Sequence, residues 1–439
     1  MKSILVLGAG RVARPCVQYL LGKGHAVTAV DLARKNLDQV LGGHPQGTGL
    51  LGDAGREAAA LVATRHPDLV VCLLPPRFMG PVARICLEAR VPLVHPAYLD
   101  EEQRSLNAGF EAAGVTMLPE LGLDPGIDHM SAARTVRRIR NLGGRVRSFR
   151  SLCGALPAAE ANTNPWGYKL SWAPESLIGA SLRSAAILEG GLAVHRPDGT
   201  TYRHPELEEI EGLGWFEVYA NGDSLPYREA YGIPEVRDLY RGTLRYLGWC
   251  ETICAMNRLR LVSGEPEDLG GLPLRDLLAR RLGCGSDQVE GAFCAALGLE
   301  RHSAVFLRFA WLDFFSPRPI PTACATPQDV VSWLFGEKLV YTPEERDLVV
   351  LRDQFLVEVP GSARLLRLRS TLVDFGEPGG DSSVARTTGL PPAIGAHLIL
   401  EGRIRTPGIH TPVLPEIYEP ILEELAAQGV TLREEEKEV

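Results

Sequence analysis

The chain has 439 residues, more than one hydrophobic core usually organises, so two or three domains are expected. Hydrophobic residues make up 45% and charged residues 23%, the balance of a globular protein and not of a disordered one. A net charge of -8 disfavours a phosphate backbone as partner, and no apolar run approaches the roughly 20 residues that cross a bilayer, so neither nucleic acid nor membrane is expected.

The opening MKSILVLGAG runs from an apolar strand into a glycine turn without the pattern of a cleavable signal, from which a cytosolic protein is expected. Short apolar runs at SILVLG, AVTAVD, DLVVCLLPP, VPLVHPAY and VTMLPEL predict buried parallel strands. The stretches 11–22, 56–65 and 81–89 predict the crossover helices between them, giving a doubly wound α/β domain. GLDPGIDHM (122–130) then reads as a Gly/Pro turn, followed by a helix through Arg140 and a strand in VRSFRSLCGA. The span 154–174, dense in Pro, Asn, Gly and aromatics without periodicity, predicts a binding loop. Helical patterns predominate from Thr243 to about Ser332 and suggest an all-helical insertion. LVVLRDQFLVEVP and RLLRLRSTLVDFG predict a hairpin, PPAIGAHLILEGRI a helix after Pro392, and REEEKE a solvated tail. The nine cysteines form no Cys-x-x-Cys pair and no cluster with histidines, so neither a disulfide framework nor a metal site is expected.

Gly8-Ala9-Gly10-Arg11-Val12-Ala13 is G-x-G-x-x-A directly between a strand and a helix. Gly8 permits the tight turn, Gly10 the approach of a pyrophosphate, and Ala13 close helix–sheet packing, while the helix N-terminus offers free N–H groups to phosphates. Asp31 closes the next strand, where an acid accepts the ribose hydroxyls of a dinucleotide. A carboxylate there repels a 2′-phosphate and residue 32 is Leu32, so NAD is expected over NADP; Arg34 and Lys35, which would favour NADP if they turned inwards, read as a solvated turn. Asp53, in LLGDAG, either faces the adenine or caps its own loop.

GLDPGIDHM, SLCGALPAAEANTNPWGYKLSWAP (151–174) and RGTLRYLGW (241–249) carry a resemblance to the glutamate-forming saccharopine dehydrogenase (saccharopine reductase) family that extends over essentially the whole chain. The resemblance implies a Rossmann domain (1–124 and 393–439), a mixed α/β catalytic and dimerisation domain (125–245 and 333–392) and a helical insertion (246–332), with substrate in the cleft between them. It also implies a homodimer and an oxidoreductase of the CH–NH class, interconverting saccharopine with aminoadipate semialdehyde and glutamate through an imine. In this family Tyr98, Asp124 and Cys153 are the catalytic candidates. Ala54, Leu74, Leu123 and Pro125 join Gly8, Ala9, Gly10, Arg11, Val12, Asp31, Leu32, Asp53 and Asp124 about the cofactor, which is NAD or NADP. Ala97, Lys169, Thr243, Leu244 and Arg245 join Tyr98 and Asp124 about the substrate, with Arg245 as a carboxylate clamp.

From the residues themselves, Asp124 in its Leu-Asp-Pro turn either faces the amine or bonds its own backbone two residues on. Cys153 is either a buried thiol or a proton-transfer group. Lys169 binds a carboxylate or packs its stem on Trp172, and His129 caps the helix it begins. The family's Asn-Arg-Asp-Ser run is Asn221-Gly222-Asp223-Ser224 here, so one carboxylate-binding cation is missing unless Arg228 replaces it. His95-Pro96-Ala97 also stands where the family has a Ser/Thr-rich approach to Tyr98. The alternative substrate is therefore a related N-carboxyalkyl amine such as carboxynorspermidine.

Overall fold

A computed structural model describes residues 1–439. The chain divides into two compact units: 1–151, 229–235 and 351–439 form the first, and 152–228 with 236–350 the second. This division is coarser than the three domains expected from the sequence.

The first unit contains a seven-stranded sheet. From one edge its strands are Gly408–Ile409, Thr116–Leu118, Leu93–Val94, Leu69–Cys72, Ser3–Leu7, Ala26–Asp31 and Gly47–Leu51. Every pairing is parallel. Strands such as LVVC are buried along their whole length, as a parallel sheet covered on both faces requires. Between them run the helices Ala13–Gly22, Arg34–Leu41, Ala58–Arg65 and Met79–Ala89, the last two against a core that includes Leu5, Leu7, Val70, Cys72, Val82 and Phe110. A parallel sheet places all its strand carboxyl ends on one edge. The order reverses beside Ser3–Leu7, whose neighbour Leu69–Cys72 lies on the side opposite Ala26–Asp31, and such a reversal is the point at which open α/β sheets bind their ligands.

Two expectations for the C-terminal segment are corrected. The helix around PPAIGAHLIL begins well before Pro392: Ser382 caps it through the Ala385 N–H, and it runs Ser383–Leu400 with Pro391 and Pro392 inside. Its Gly389 lies against the glycine turn, where a Cβ would stand 2.3 Å from the Val12 carbonyl oxygen, so the close crossing needs a residue without a side chain. REEEKE is no solvated tail either. Leu432–Glu438 pairs antiparallel with Leu365–Phe375, from Leu432 opposite Leu372 to Glu438 opposite Leu366, with Arg134 and Arg138 of the helix Ile127–Asn141 bonding Glu434 and Glu436.

In the second unit the strands Glu206–Ile210, Gly214–Ala220 and Asp238–Arg245 lie side by side, followed by Arg145–Pro157 and Asp347–Glu358, two strands whose other ends belong to the first unit. Thr243–Arg245 is therefore the end of a strand and not the start of the helical region. Five helices follow it, from Trp249–Arg258 to Pro327–Lys338. No helix in the chain is long and apolar enough to cross a membrane.

Candidate functional site

Every site candidate of the first unit follows the carboxyl end of a strand of the parallel sheet. Gly8 to Val12 follow Ser3–Leu7, Asp31 ends its own strand with Leu32 next, and Asp53 and Ala54 follow Gly47–Leu51. Leu74 follows Leu69–Cys72, Ala97 and Tyr98 follow Leu93–Val94, and Leu123, Asp124 and Pro125 follow Thr116–Leu118. The shared edge is what gathers residues more than 100 positions apart.

Gly8 has a φ of +96°, and a Cβ there would lie 3.2 Å from the backbone of Leu73 and from Leu74, so the turn needs glycine. Gly10 has open space where a Cβ would stand, and the helix after it carries no acid in its first turn. These residues fit a pyrophosphate set against backbone N–H groups. The turn is tied directly to Asp31, whose Oδ2 accepts from Ala9 N–H at 2.9 Å while Oδ1 accepts from Ala33 N–H at 2.9 Å and Asn36 Nδ2 at 3.0 Å. Asn36 escaped the sequence reading because its spacing from Asp31 carries no motif. Leu32 is exposed. Asp53 caps its own loop, accepting from the N–H groups of Gly55 and Arg56 at 3.1 Å. Ala54 and Leu123 are buried, and Leu74 packs against the sheet core.

Tyr98 and Asp124 meet: the phenolic hydroxyl donates to Asp124 Oδ1 at 2.9 Å. Asp124 sits in a turn so tight that a Cβ on Gly126 would be 2.1 Å from the Gly122 carbonyl oxygen. The Gly126 N–H, two residues on, donates to Asp128 Oδ1 at 2.6 Å. His129 does not cap the helix Ile127–Asn141, whose N-cap is Gly126 with no side-chain bond; it is buried, with Nε2 3.1 Å from Glu120 Oε2. Burial pushes the Glu120 carboxyl up, but the hydrogen bond and charge of His129 and the Leu99 N–H outweigh it and hold it below the usual range. His95, fully buried against Gln103 at 2.8 Å, is pushed down to about 4 by that burial despite the bond to Gln103.

The second unit holds Cys153, Lys169, Thr243, Leu244 and Arg245. Cys153 is buried on the strand beside Leu244; a Cβ on the adjacent Gly154 would lie 2.8 Å from Leu244 Cβ. Arg245 ends its strand almost wholly buried, not on a surface, and it is not on a helix start. Its guanidinium lies 5.1, 5.5 and 5.9 Å from the ring centres of Tyr168, Trp249 and Tyr219, and Nη1 donates to the Leu244 carbonyl at 2.9 Å. No carboxylate of the chain pairs with it, and a cation desolvated in an aromatic cage is a strong anion receptor. The segment 162–173 anchors the cage: Trp166, Tyr168 and Lys169 are buried, and Arg308, from the helix Ala304–Trp311, bonds the carbonyls of Pro165, Leu247 and Gly248. Arg308 carried no motif in the sequence. Lys169 does not rest its charge on an open site; it pairs with Glu345 and bonds Thr163 Oγ1 at 2.9 Å. Gly222 has a φ of +156° and open space around it, and Arg228 lies exposed on the short helix Tyr227–Ala230.

Residues 4–118 match the model of the saccharopine dehydrogenase NADP binding domain, and residues 122–430 that of the saccharopine dehydrogenase C-terminal domain. The chain belongs to the saccharopine dehydrogenase family. It is 33% identical to the mitochondrial alpha-aminoadipic semialdehyde synthase of Bos taurus over 98% of its own length, and spans about half (47%) of that relative. It is 31% identical to the saccharopine dehydrogenase [NADP(+), L-glutamate-forming] of Schizosaccharomyces pombe, covering 99% of both chains. The apo L-Glu-forming saccharopine dehydrogenase of Saccharomyces cerevisiae superposes with a TM-score of 0.90 at 29% identity, covering 100% of each chain. The α/β fold with its Rossmann sheet is thus that of an oxidoreductase family.

Proposed function

We propose that this chain interconverts saccharopine with aminoadipate semialdehyde and glutamate. The observation that carries the reading is the Tyr98–Asp124 hydrogen bond on the carboxyl edge of a nucleotide-binding sheet, in a family whose Schizosaccharomyces pombe member bears that activity in its name. A nicotinamide dinucleotide held by the Gly8–Val12 turn and Asp31 would supply the hydride acceptor for the carbon destined to become the aldehyde. Asp124, with Tyr98 bonded to it, accepts the proton of the secondary amine and then orients the water that adds to the imine carbon. The C–N bond breaks, the nitrogen leaves with glutamate, and one proton is released. Arg245, with the backbone of Thr243 and Leu244, receives a substrate carboxylate. Cys153 lies buried on the neighbouring strand and serves the same reaction through packing or proton transfer.

We read the cofactor as NAD, although the Schizosaccharomyces pombe relative and the matching domain model are named for NADP. Asp31 holds its carboxylate where the ribose hydroxyls would meet it, fixed by three donors, and the next side chain is an exposed leucine in place of a cation. Gly222 favours a second substrate reading, an N-carboxyalkyl amine with one carboxylate fewer or a polyamine arm, because this position has no side chain to supply the family's cation. The five helices from Trp249 to Lys338 read as an insertion in the substrate domain, and the assembly as a cytosolic homodimer; all nine cysteines are free.

The purified protein is offered saccharopine, then a carboxynorspermidine-like amine, each with NAD and with NADP, while the absorbance of reduced nicotinamide is followed. Turnover of saccharopine with a higher kcat/KM for NAD is expected. No turnover of saccharopine with either cofactor sinks the first reading, and turnover only of the second amine replaces it. Light scattering at micromolar concentration reads the dimer.

A further inference from the structure

Tyr98 and Asp124 belong to two separate segments, and a single buried side chain lies in ion-pair range of the carboxylates that hold each of them. Glu120 clasps the first segment. Its N–H donates to the Ala97 carbonyl at 3.1 Å and its Oε1 accepts from Leu99 N–H at 2.9 Å, bracketing Tyr98 on both sides. Glu120 does this with a φ of +56°, a backbone conformation a residue with a side chain adopts only when its surroundings demand it. Asp128 clasps the second segment. Its Oδ1 accepts from Gly126 N–H at 2.6 Å and its own N–H donates to the Leu123 carbonyl at 3.2 Å, on either side of Asp124 and Pro125.

His129 lies between these two carboxylates. Its Nε2 is 3.1 Å from Glu120 Oε2, its Nδ1 3.6 Å from Asp128 Oδ2 and 2.5 Å from the hydroxyl of Tyr231. Glu120, Asp128, His129 and Tyr231 are all buried, and Phe149 packs edge-on against the Tyr231 ring at 5.5 Å. A polar group so enclosed is costly unless fully bonded, and the bonds it makes are correspondingly rigid.

We propose that His129 is a positioning residue for the reaction: held by Tyr231 and paired with Glu120 and Asp128 on its two ring nitrogens, it sets the Tyr98 segment and the Asp124 turn in one register. The proposal rests on the reading of Tyr98 and Asp124 as the groups that handle the amine proton. It gives the imidazole no contact with substrate or cofactor. The glycine turn at Gly8 to Val12 is tied instead to Asp31 through the Ala9 N–H, so loss of the imidazole is expected to disturb the reacting pair and leave dinucleotide binding intact. A displacement of about 1 Å in such a pair costs on the order of a hundredfold in rate.

The test compares the full-length wild type with His129→Leu, His129→Gln and Glu120→Gln. Three quantities are read: kcat with saccharopine, the Kd of reduced nicotinamide dinucleotide by its fluorescence, and backbone hydrogen exchange at residues 97–100, 122–128 and 8–12. His129→Leu is expected to lose ten- to a hundredfold in kcat, with cofactor Kd within about twofold and faster exchange at 97–100 and 122–128 but not at 8–12. His129→Gln recovers most of the loss, because its amide donates to Glu120 and accepts from Tyr231. Wild-type kcat in His129→Leu overturns the proposal, as does exchange unchanged at both segments, or a loss in His129→Gln as deep as in His129→Leu. Should His129→Leu not fold, Glu120→Gln decides by the same two segments: faster exchange at 97–100 is expected, and unchanged exchange at both segments overturns the proposal. A wild-type protein inactive on saccharopine removes the reading of the pair, whereas the exchange measurement still judges the positioning.

Discussion

The hydroxyl of Tyr98 donates to Asp124 Oδ1 across 2.9 Å, although 26 residues separate them and they follow different strands of the parallel sheet. The bond fixes which carboxylate oxygen the phenol engages and so the orientation of the carboxylate. Asp124→Asn, which keeps the shape and removes the basicity, is expected to lower kcat by about 10²- to 10⁴-fold, and Tyr98→Phe by about tenfold. Steady-state kinetics with saccharopine checks this; a kcat within threefold of wild type in Asp124→Asn takes Asp124 out of the proton chemistry.

Arg245 is a guanidinium enclosed by three aromatic rings and lacking a carboxylate of the chain. Arg245→Met preserves much of the packing and removes the charge, so KM for saccharopine is expected to rise about ten- to a hundredfold, with kcat affected less. Arg245→Lys is expected to recover little, since an ammonium offers neither the planar fork nor the stacking. Unchanged KM in both variants would mean that the substrate carboxylates lie elsewhere.

Asp31 has two tasks, and its substitution exposes both. Asp31→Ala removes the carboxylate opposed to a 2′-phosphate, so the ratio of kcat/KM for NAD over NADP is expected to fall by tenfold or more. It also strips the Ala9 N–H of its acceptor, at a cost of about 1 kcal/mol in unfolding free energy. Chemical denaturation together with kinetics on both cofactors reads the two effects separately, and an unchanged cofactor ratio refutes the role given to the carboxylate.

His95 introduces a dependence of stability on pH. Its folded pKa is about 4 against an ordinary 6.5, because burial disfavours the charged ring, so the unfolded chain binds the proton more readily. Stability is therefore complete above about pH 6.5 and declines as the pH falls towards 4, by about 3 kcal/mol if fully expressed. Denaturation between pH 7 and pH 4 should show that slope and lose part of it in His95→Gln; an identical slope in the variant assigns the acid sensitivity to other groups.

The local features of the nucleotide site were legible in the sequence because they depend on short-range geometry. A strand, a glycine that must take a positive φ, a helix and an acid at the end of the next strand lie within 31 residues, and each constrains its neighbours directly. The C-terminal segment was less legible. Leu432–Glu438 is charged at nearly every position and has no periodicity of its own, and it is a strand because Leu365–Phe375 offers it an edge and Arg134 and Arg138 meet its acids. The early start of the helix at Ser383 was hidden by Pro391 and Pro392, which a helix tolerates when packing compensates.

Composition, the glycine turn and the runs around Asp124, Cys153 and Arg245 were enough to establish an α/β oxidoreductase of the saccharopine dehydrogenase family. Tertiary structure decided which groups are engaged with one another: that Lys169 is held by Glu345, that Arg245 stands in an aromatic cage, and that His129 faces Glu120 instead of capping a helix. The physical reason is that a motif records what one segment does to its own backbone. Pairings such as Tyr98 with Asp124, or Glu120 with His129, depend on strands and turns brought to one edge of a sheet, and no spacing along the chain encodes that distance.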